Sequence, residues 1–492
     1  MNTNKAPPDG AYAKELIRGS IWMIGARWAA RLVGLVSTVI LARLLSPTDF
    51  GIVAMALIIV GLLETIAYAG VDLALMRPGN DTREHYDTAW TVQLIQGAFI
   101  AVVLLLAAPI TAVYFAEPRA AAVIRLLALK SVIDGLQNIG IVAFRKELNF
   151  AKEFRFMLYT KLLNFTVVVV AAFWLRSYWA LAIGMTSASA IGVLLSYGMH
   201  PYRPRWSLVR LPEIWSFSQW LMISRIGAYL NRRTDEFVIG GMVGASAMGS
   251  YHVASELSTM PSNELVMPMR RAMFPTLARL TSEPVNFASA VLGTFSTVAT
   301  ICLAVGFGLM SVAPEIVQLF LGQKWLDTIP LVQWLSLFGG FSALILVLEV
   351  PLWVDGRTHF SAVQTWLELA VLVPVVWLAT KEFGIVGAAA SRTAVCFSMI
   401  PVMIYLTSRA GHVSASQLFS AMLRPLAAGI IMAAVIHALQ FHAMDSPLLI
   451  LISKIATGAG VYVLSLGGLW LFQGRPEGFE ATVVYQAKSF LR

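Results

Sequence analysis

Arg27 and Arg31 stand four residues apart in the stretch SIWMIGARWAARLVGLVSTVILARLL that begins at Ser20. Positions four apart differ by about 40° around an α-helix, so the two guanidinium groups share one face. Each guanidinium is a rigid fork of N–H donors that fits phosphate or carboxylate oxygens two at a time. The device recurs in SQWLMISRIGAYLNRRTDEFVIGGMVGASAMG from Ser218: Arg225, Tyr229, Arg232 and Glu236 fall on one stripe, with Arg233 and Asp235 beside it. Lys130 and Asp134 are again four apart, with Arg125 earlier in the same run, and Glu64, Lys161, Glu256, Glu264 and Arg392 complete the inventory.

Two chemistries are open to these charges. Opposite signs at helical spacing, as in Lys130 with Asp134 or Arg232 with Glu236, form ion pairs that pack helices together. Cations without a local partner line a watery cleft and bind an anion, and Arg27 and Arg31 have no carboxylate within four residues. On that reading Arg27, Arg31, Arg225, Arg232 and Lys130 are the substrate-binding cations. Glu64, Asp134, Asp235 and Glu236 are either coupling carboxylates for H+ or Na+ or permanent partners of the cations.

The elements that carry these residues are apolar runs of roughly 18–25 residues, the length that crosses a bilayer. Of 492 residues, 58% are hydrophobic and 13% charged, which excludes an ordinary soluble enzyme. Fourteen spans are expected, at 20–43, 51–75, 89–114, 121–143, 157–175, 179–199, 216–241, 246–272, 288–312, 328–353, 361–379, 384–407, 425–441 and 449–472. An arginine in the middle of such a span costs about 2.5–3.5 kcal/mol on insertion scales, so Arg31 needs a reason to be there.

Alternate loops sort the basic residues. Lys5, Lys14, Arg18, Arg77, Arg83, Arg145, Lys146, Arg203, Arg205, Arg210, Arg270, Arg271, Arg357 and Arg409 fall on one side, against Arg119, Arg176, Lys324 and Lys381 on the other. The positive-inside rule then places both termini in the cytoplasm. The formal charge of +9 is mainly a topology signal, and no nucleic-acid partner is expected. No cleavage site follows the first apolar run, which is expected to stay as a helix. Cys302 and Cys396 are lone residues in separate spans, and the seven histidines form no ligand spacing, so no metal site, cofactor or catalytic residue is expected.

An ungapped correspondence at an offset of 198 residues matches Ser20 with Ser218, Trp22 with Trp220, Arg27 with Arg225 and Gly51 with Gly249. Each copy opens a block of six spans; an even number makes them parallel repeats. The expected organisation is a cytoplasmic segment 1–19, an N-lobe 20–200, a basic linker 201–215, a C-lobe 216–408, two further spans within 425–472 and a cytoplasmic tail 473–492. Two lobes facing a cationic cleft suit an anionic substrate too polar for the bilayer.

With those residues in view, the sequence resembles the polysaccharide transporter family, the O-antigen and exopolysaccharide flippases of the multidrug/oligosaccharidyl-lipid/polysaccharide superfamily. The resemblance lies in ILARLLSPTDFGIVAMA from Ile40, AFRKELNFAKEF from Ala143, YLNRRTDEFVIGGMVGASAMGSYHVA from Tyr229, FPTLARL from Phe274 and EFGIVGAAAS from Glu382. It implies an all-α polytopic fold: two six-helix lobes in an inverted V plus two C-terminal helices. It also implies alternating-access transfer of undecaprenyl-diphosphate-linked oligosaccharide across a bacterial inner membrane, among membrane lipids and beside a polymerase or export partner. Arginines on the first helix of lipid-flipping relatives support Arg27 and Arg31 in holding the diphosphate or acidic sugars. The alternatives are a cation-coupled drug antiporter of the same superfamily and a membrane glycan polymerase or ligase. The second is disfavoured by the longest outer loop, around Ala313 to Asp327, which holds one lysine, Lys324.

Overall fold

The computed structural model of the chain describes residues 31–68, 70–76, 82–147, 149–410, 413–439, 446–474 and 479–480. Among them the regular structure is helical throughout. In chain order the long helices are α1 (31–44), α2 (Pro47–Ala67), α3 (Arg83–Tyr114), α4 (Pro118–Gly135), α5 (Phe150–Leu175) and α6 (Trp179–Met199). There follow α7 (Leu211–Val243), α8 (Ala245–Arg279), α9 (Pro284–Ile316), α10 (Ile329–Val354), α11 (Thr358–Arg409), α12 (Ala415–Ala438) and α13 (Pro447–Phe472). Each expected span overlaps one of these helices, the first only over 31–43 because residues 20–30 lie outside the described residues. Two of them share α11, which bends at Gly384, where φ is 63° and ψ −152° and only glycine is unstrained.

Boundaries differ from expectation where a local conformation overrides the apolar run. The second helix stops at Ala67 instead of near residue 75, because the chain turns through Gly70 at φ 60°; a five-residue helix, Val71–Leu75, follows. The fourth stops at Gly135, and Asn138 caps a short 3-10 turn over Ile139–Ile141. The thirteenth span starts early, at Ala415, because Ser414 and Gln417 form a reciprocal cap. SPTDF folds the same way: the Ser46 Oγ–H and N–H both donate to Asp49 Oδ2, at 2.6 and 2.9 Å, and Pro47 opens α2. Asp49 Oδ1 also accepts the Tyr178 N–H at 2.8 Å, tying the α5–α6 turn to the start of α2.

Among the described residues nine helices are long and apolar enough to cross a bilayer, α11 counting once. Besides α1, described only over 31–44, the helices α4, α7 and α8 fall short of that standard, and these three carry Lys130, Asp134, Arg232, Asp235, Glu236 and His252. Their insertion depends on partners for those charges.

The chain divides into two compact units between Tyr229 and Leu230, inside α7. In the first unit α3 and α4 meet at Gly97 and Gly135; a Cβ on Gly97 would lie 2.4 Å from the Ser131 carbonyl oxygen. In the second unit α9 and α10 meet the same way, at Gly306 and Gly340, whose Cβ atoms would lie 2.9 Å from Ser336 O and 3.0 Å from Cys302 O. Small residues bring helix backbones close where lipid offers no hydrophobic drive for association. The core of the second unit is apolar and large, with Phe287, Phe295, Leu344, Leu348, Ile400 and Met403 fully buried or nearly so.

Candidate functional site

Of the expected substrate cations, Arg27 and the Arg225 side chain lie outside the described residues. Arg31 opens the described part of α1 and is half-buried. Arg125 on α4 and Lys161 on α5 are exposed on the first unit.

Lys130 lies between two carboxylates of the first unit. Its Nζ is 2.7 Å from Asp134 Oδ2, one turn along α4, and 3.2 Å from Glu64 Oε1 on α2. Lys130 is 20% exposed, against 44% for Glu64 and 46% for Asp134, so the cluster shows its excess negative charge at the unit's surface. The ion-pair reading is the one the geometry realises for this lysine. The Glu64 end of α2 is pinned by α7: the Tyr229 hydroxyl donates to Ile58 O at 2.7 Å and packs over Gly61, whose Cβ would fall 2.7 Å from Tyr229 Oη. Gln93 Nε2 donates to Asp134 O at 2.9 Å and holds the end of α4 to α3.

The second unit buries a denser cluster. Asp235 and Glu236 on α7 are 5% and 3% exposed, and Arg392 on α11 is 3% exposed. Arg392 Nε stands 3.8 Å from Asp235 Oδ2, its Nη2 donates to Asn231 Oδ1 at 3.4 Å, and its guanidinium lies 4.7 Å over the Phe338 ring. Asp235 also accepts the Tyr251 hydroxyl at 2.6 Å and the Glu236 N–H at 3.0 Å. Glu236 is met by Arg233, three residues back, and by His252 Nδ1 at 3.5 Å. The pairing expected of Arg232 thus falls to its neighbour: Arg233 flanks the buried face of α7, while Arg232 is exposed. Arg392 Nε and Nη1 are buried without a hydrogen bond, so the guanidinium is held by charge, the ring contact and the one bond to Asn231, and keeps unused donor capacity. On the same unit Arg270 Nη2 reaches Glu349 Oε2 at 2.7 Å and lies 4.7 Å over the Trp353 ring.

The expected basic linker is a strap bound along the start of α3. Tyr202 donates its hydroxyl to Asp87, and the Arg205 N–H donates to Asp87 Oδ1 at 3.0 Å. Ser207 N–H meets Thr91 Oγ1 at 3.1 Å, Arg210 Nε meets Glu84 Oε2 at 3.0 Å, and Asn138 Nδ2 holds Tyr202 O at 2.8 Å. Burial, then the Asp87 carboxylate, raise the Tyr202 phenol well above its ordinary value. Burial lowers the His200 imidazole, whose Nδ1 accepts the Tyr202 N–H at 3.2 Å.

Sequence reasoning missed Arg392 as the partner of Asp235, the Arg270–Glu349 pair and His252. Their partners lie far along the chain or on another helix, and the only signal was their presence inside apolar runs. Among the described residues no group of three or more His, Cys, Asp or Glu is placed to hold a metal.

A chain whose described residues are helical, with nine helices long and apolar enough to cross a membrane and charged clusters on others, is built as a membrane transporter. The chain belongs to the family described as polysaccharide biosynthesis protein, whose model matches residues 40–330. It is similar to the lipopolysaccharide biosynthesis protein WzxC of Escherichia coli, 25% identical over 374 residues, 74% of this chain and 76% of that protein. The succinoglycan biosynthesis transport protein ExoT of Rhizobium meliloti is 25% identical over 333 residues, 67% of each chain. Its fold is similar to that of the lipid II flippase MurJ in an inward closed conformation, at a TM-score of 0.74, 13% identity, 92% of this chain and 100% of that one. An inward-facing multidrug resistance MATE family transporter of the MOP superfamily matches at 0.62 and 16% identity, over 80% of this chain and 96% of that one.

Proposed function

We propose that this chain carries a lipid-linked oligosaccharide, joined to its polyprenyl carrier through a diphosphate, from the cytoplasmic to the periplasmic leaflet of a bacterial inner membrane for lipopolysaccharide or exopolysaccharide synthesis. Both termini face the cytoplasm, and no covalent bond is made or broken. Membership of the polysaccharide biosynthesis family and the relatives named for lipopolysaccharide biosynthesis and succinoglycan transport support the class of cargo. The observation that carries the mechanism is the pair of charged clusters on the helices of the two units, the partly exposed Lys130 cluster in one and the buried Asp235 with Arg392 in the other. A diphosphate in hydrocarbon is prohibitively costly, and a polar path replaces its lost water.

In this account Arg27, Arg31, Arg225 and Arg232 meet the diphosphate or acidic sugars. Asp235 is the coupling carboxylate: loss of its hold on Arg392 frees a buried guanidinium and shifts α7 against α11, and a proton or Na+ supplies the trigger. A cation-coupled drug antiporter is the second reading, favoured by the excess negative charge of the Lys130 cluster. The test is complementation of a strain lacking its own glycan flippase, with Arg27 and Arg31 changed to Ala or Lys and membrane levels checked. Loss of surface glycan with alanine and partial rescue with lysine are expected. Normal export by both alanine variants overturns the anion-binding role, and drug resistance without glycan export favours the antiporter.

A further inference from the structure

At the end of the second unit opposite Arg279, Arg357 and Arg409, the helices α9, α10, α12 and α13 open around a cavity of about 510 Å³. Its polar lining is Ser311, Gln333, Trp334, His437 and Lys454; Met310, Leu337 and Ile436 form much of its apolar wall. Each polar residue lies near the end of its helix: Trp334 follows the Ile329 start of α10, His437 is next to the Ala438 end of α12, and Lys454 follows the Pro447 start of α13. At 1.5 Å per residue they sit at most about 10 Å below the helix ends, the depth where headgroups give way to acyl chains. Trp334, 41% exposed, has the amphipathic ring favoured at that boundary.

Lys454 is positioned by Glu315, whose Oε1 its Nζ meets at 2.7 Å; the two side chains are 16% and 12% exposed. An ammonium has three N–H donors, and this pairing uses one. The remainder, with the Gln333 amide and the His437 imidazole, form a donor-bearing rim above an apolar slot, the Ser311 hydroxyl being donated to Phe307 O at 2.8 Å. That combination fits a phosphodiester with an attached chain. The neighbouring Glu315 leaves the rim nearly neutral, which disfavours a diphosphate with its several charges and favours a headgroup that carries its own ammonium.

We propose that this cavity binds one zwitterionic glycerophospholipid, its phosphodiester against Lys454, Gln333 and His437 and an acyl chain along Met310, Leu337 and Ile436. The bound lipid fastens α12 and α13 to α9 and α10. The site is separate from the transported cargo, and the proposal rests on the bilayer, not on the identity of that cargo.

The test is native mass spectrometry of the purified, delipidated full chain titrated with phosphatidylethanolamine, phosphatidylglycerol, undecaprenyl diphosphate or inorganic phosphate. Two variants leave the Lys454–Glu315 pair intact: Ala433→Trp fills the cavity, and Gln333→Leu with His437→Leu removes two donors. Leu464→Trp, on the exposed face of α13, is the control. One phosphatidylethanolamine per chain is expected, with affinity reduced about tenfold or more in both cavity variants, the loss of 1.4 kcal/mol or more, and unchanged in the control. Equal affinity in wild type and both variants overturns the site. Tighter binding of phosphatidylglycerol overturns the zwitterionic assignment, tighter binding of undecaprenyl diphosphate makes the cavity a cargo site, and binding of inorganic phosphate alone removes the lipid.

Discussion

Replacing Arg392 with methionine removes the cation from the buried cluster of the second unit while keeping an unbranched side chain of similar reach. Asp235 then remains 5% exposed with only the Tyr251 hydroxyl and the Glu236 N–H as donors. At 3.8 Å, and with an effective dielectric near 20, the attraction between the two charges is about 4 kcal/mol. Removing one member of such a buried pair is expected to cost about 3–5 kcal/mol, because the other charge stays behind without compensation. Asp235→Asn should cost a similar amount by stranding the guanidinium, whose remaining contacts are Asn231 and the Phe338 ring. The double variant Asp235→Asn with Arg392→Met should recover most of the loss, giving a coupling energy near the Coulomb figure. The assay is reversible unfolding in mixed micelles for the wild type, both single variants and the double. Single losses below about 1 kcal/mol, or losses that add to within about 0.5 kcal/mol, would refute the reasoning, since independent sites add that closely.

Other outcomes follow from local geometry. Gly97→Ala places a methyl 2.4 Å from the Ser131 carbonyl oxygen and should cost about 1–3 kcal/mol by overpacking; Gly34→Ala, with open space around it, should be neutral or stabilising by up to about 1 kcal/mol. The same unfolding assay compares them. Tyr202→Phe removes a hydrogen bond to the buried Asp87 carboxylate and should cost about 1.5–3 kcal/mol, read as faster proteolysis of the 203–210 strap. Because burial holds His200 below its ordinary value, the unfolded chain binds the proton more readily. The strap therefore loses stability as pH falls below about 6.5, down to the folded value. Proteolysis of the strap should accelerate from about pH 8 to about pH 5.5, and His200→Gln should flatten that dependence.

The spans were readable because crossing a bilayer demands long apolar runs, and the turn at Ser46–Phe50 because Ser, Pro and Asp cap helices by local bonds. Local bonds also explain Lys130 with Asp134, which share a face of α4. The rest needed distant partners. Arg392 reaches Asp235 across more than 150 residues of chain and Arg270 reaches Glu349 across 79, and helical periodicity carries no information about which helix faces which. On α7 Arg232 and Arg233 lie four and three residues before Glu236, both spacings that allow a side-chain pair, and burial by other helices decides that Arg233 meets it. In the sequence the strap stands out by charge alone, although its backbone N–H groups and Tyr202 do the binding to Asp87 and Thr91. The slot near Lys454 left no sequence signal, because its walls come from four helices.

The most direct measurement of the central claim is translocation by the purified chain in liposomes carrying undecaprenyl-diphosphate oligosaccharide, with the sugar on each leaflet read by an added glycan-cleaving enzyme. The account predicts movement that requires the protein and slows about tenfold to a hundredfold in Arg31→Ala, the loss of a charge-assisted contact worth about 1.5–3 kcal/mol. Translocation no faster than in protein-free liposomes would contradict it.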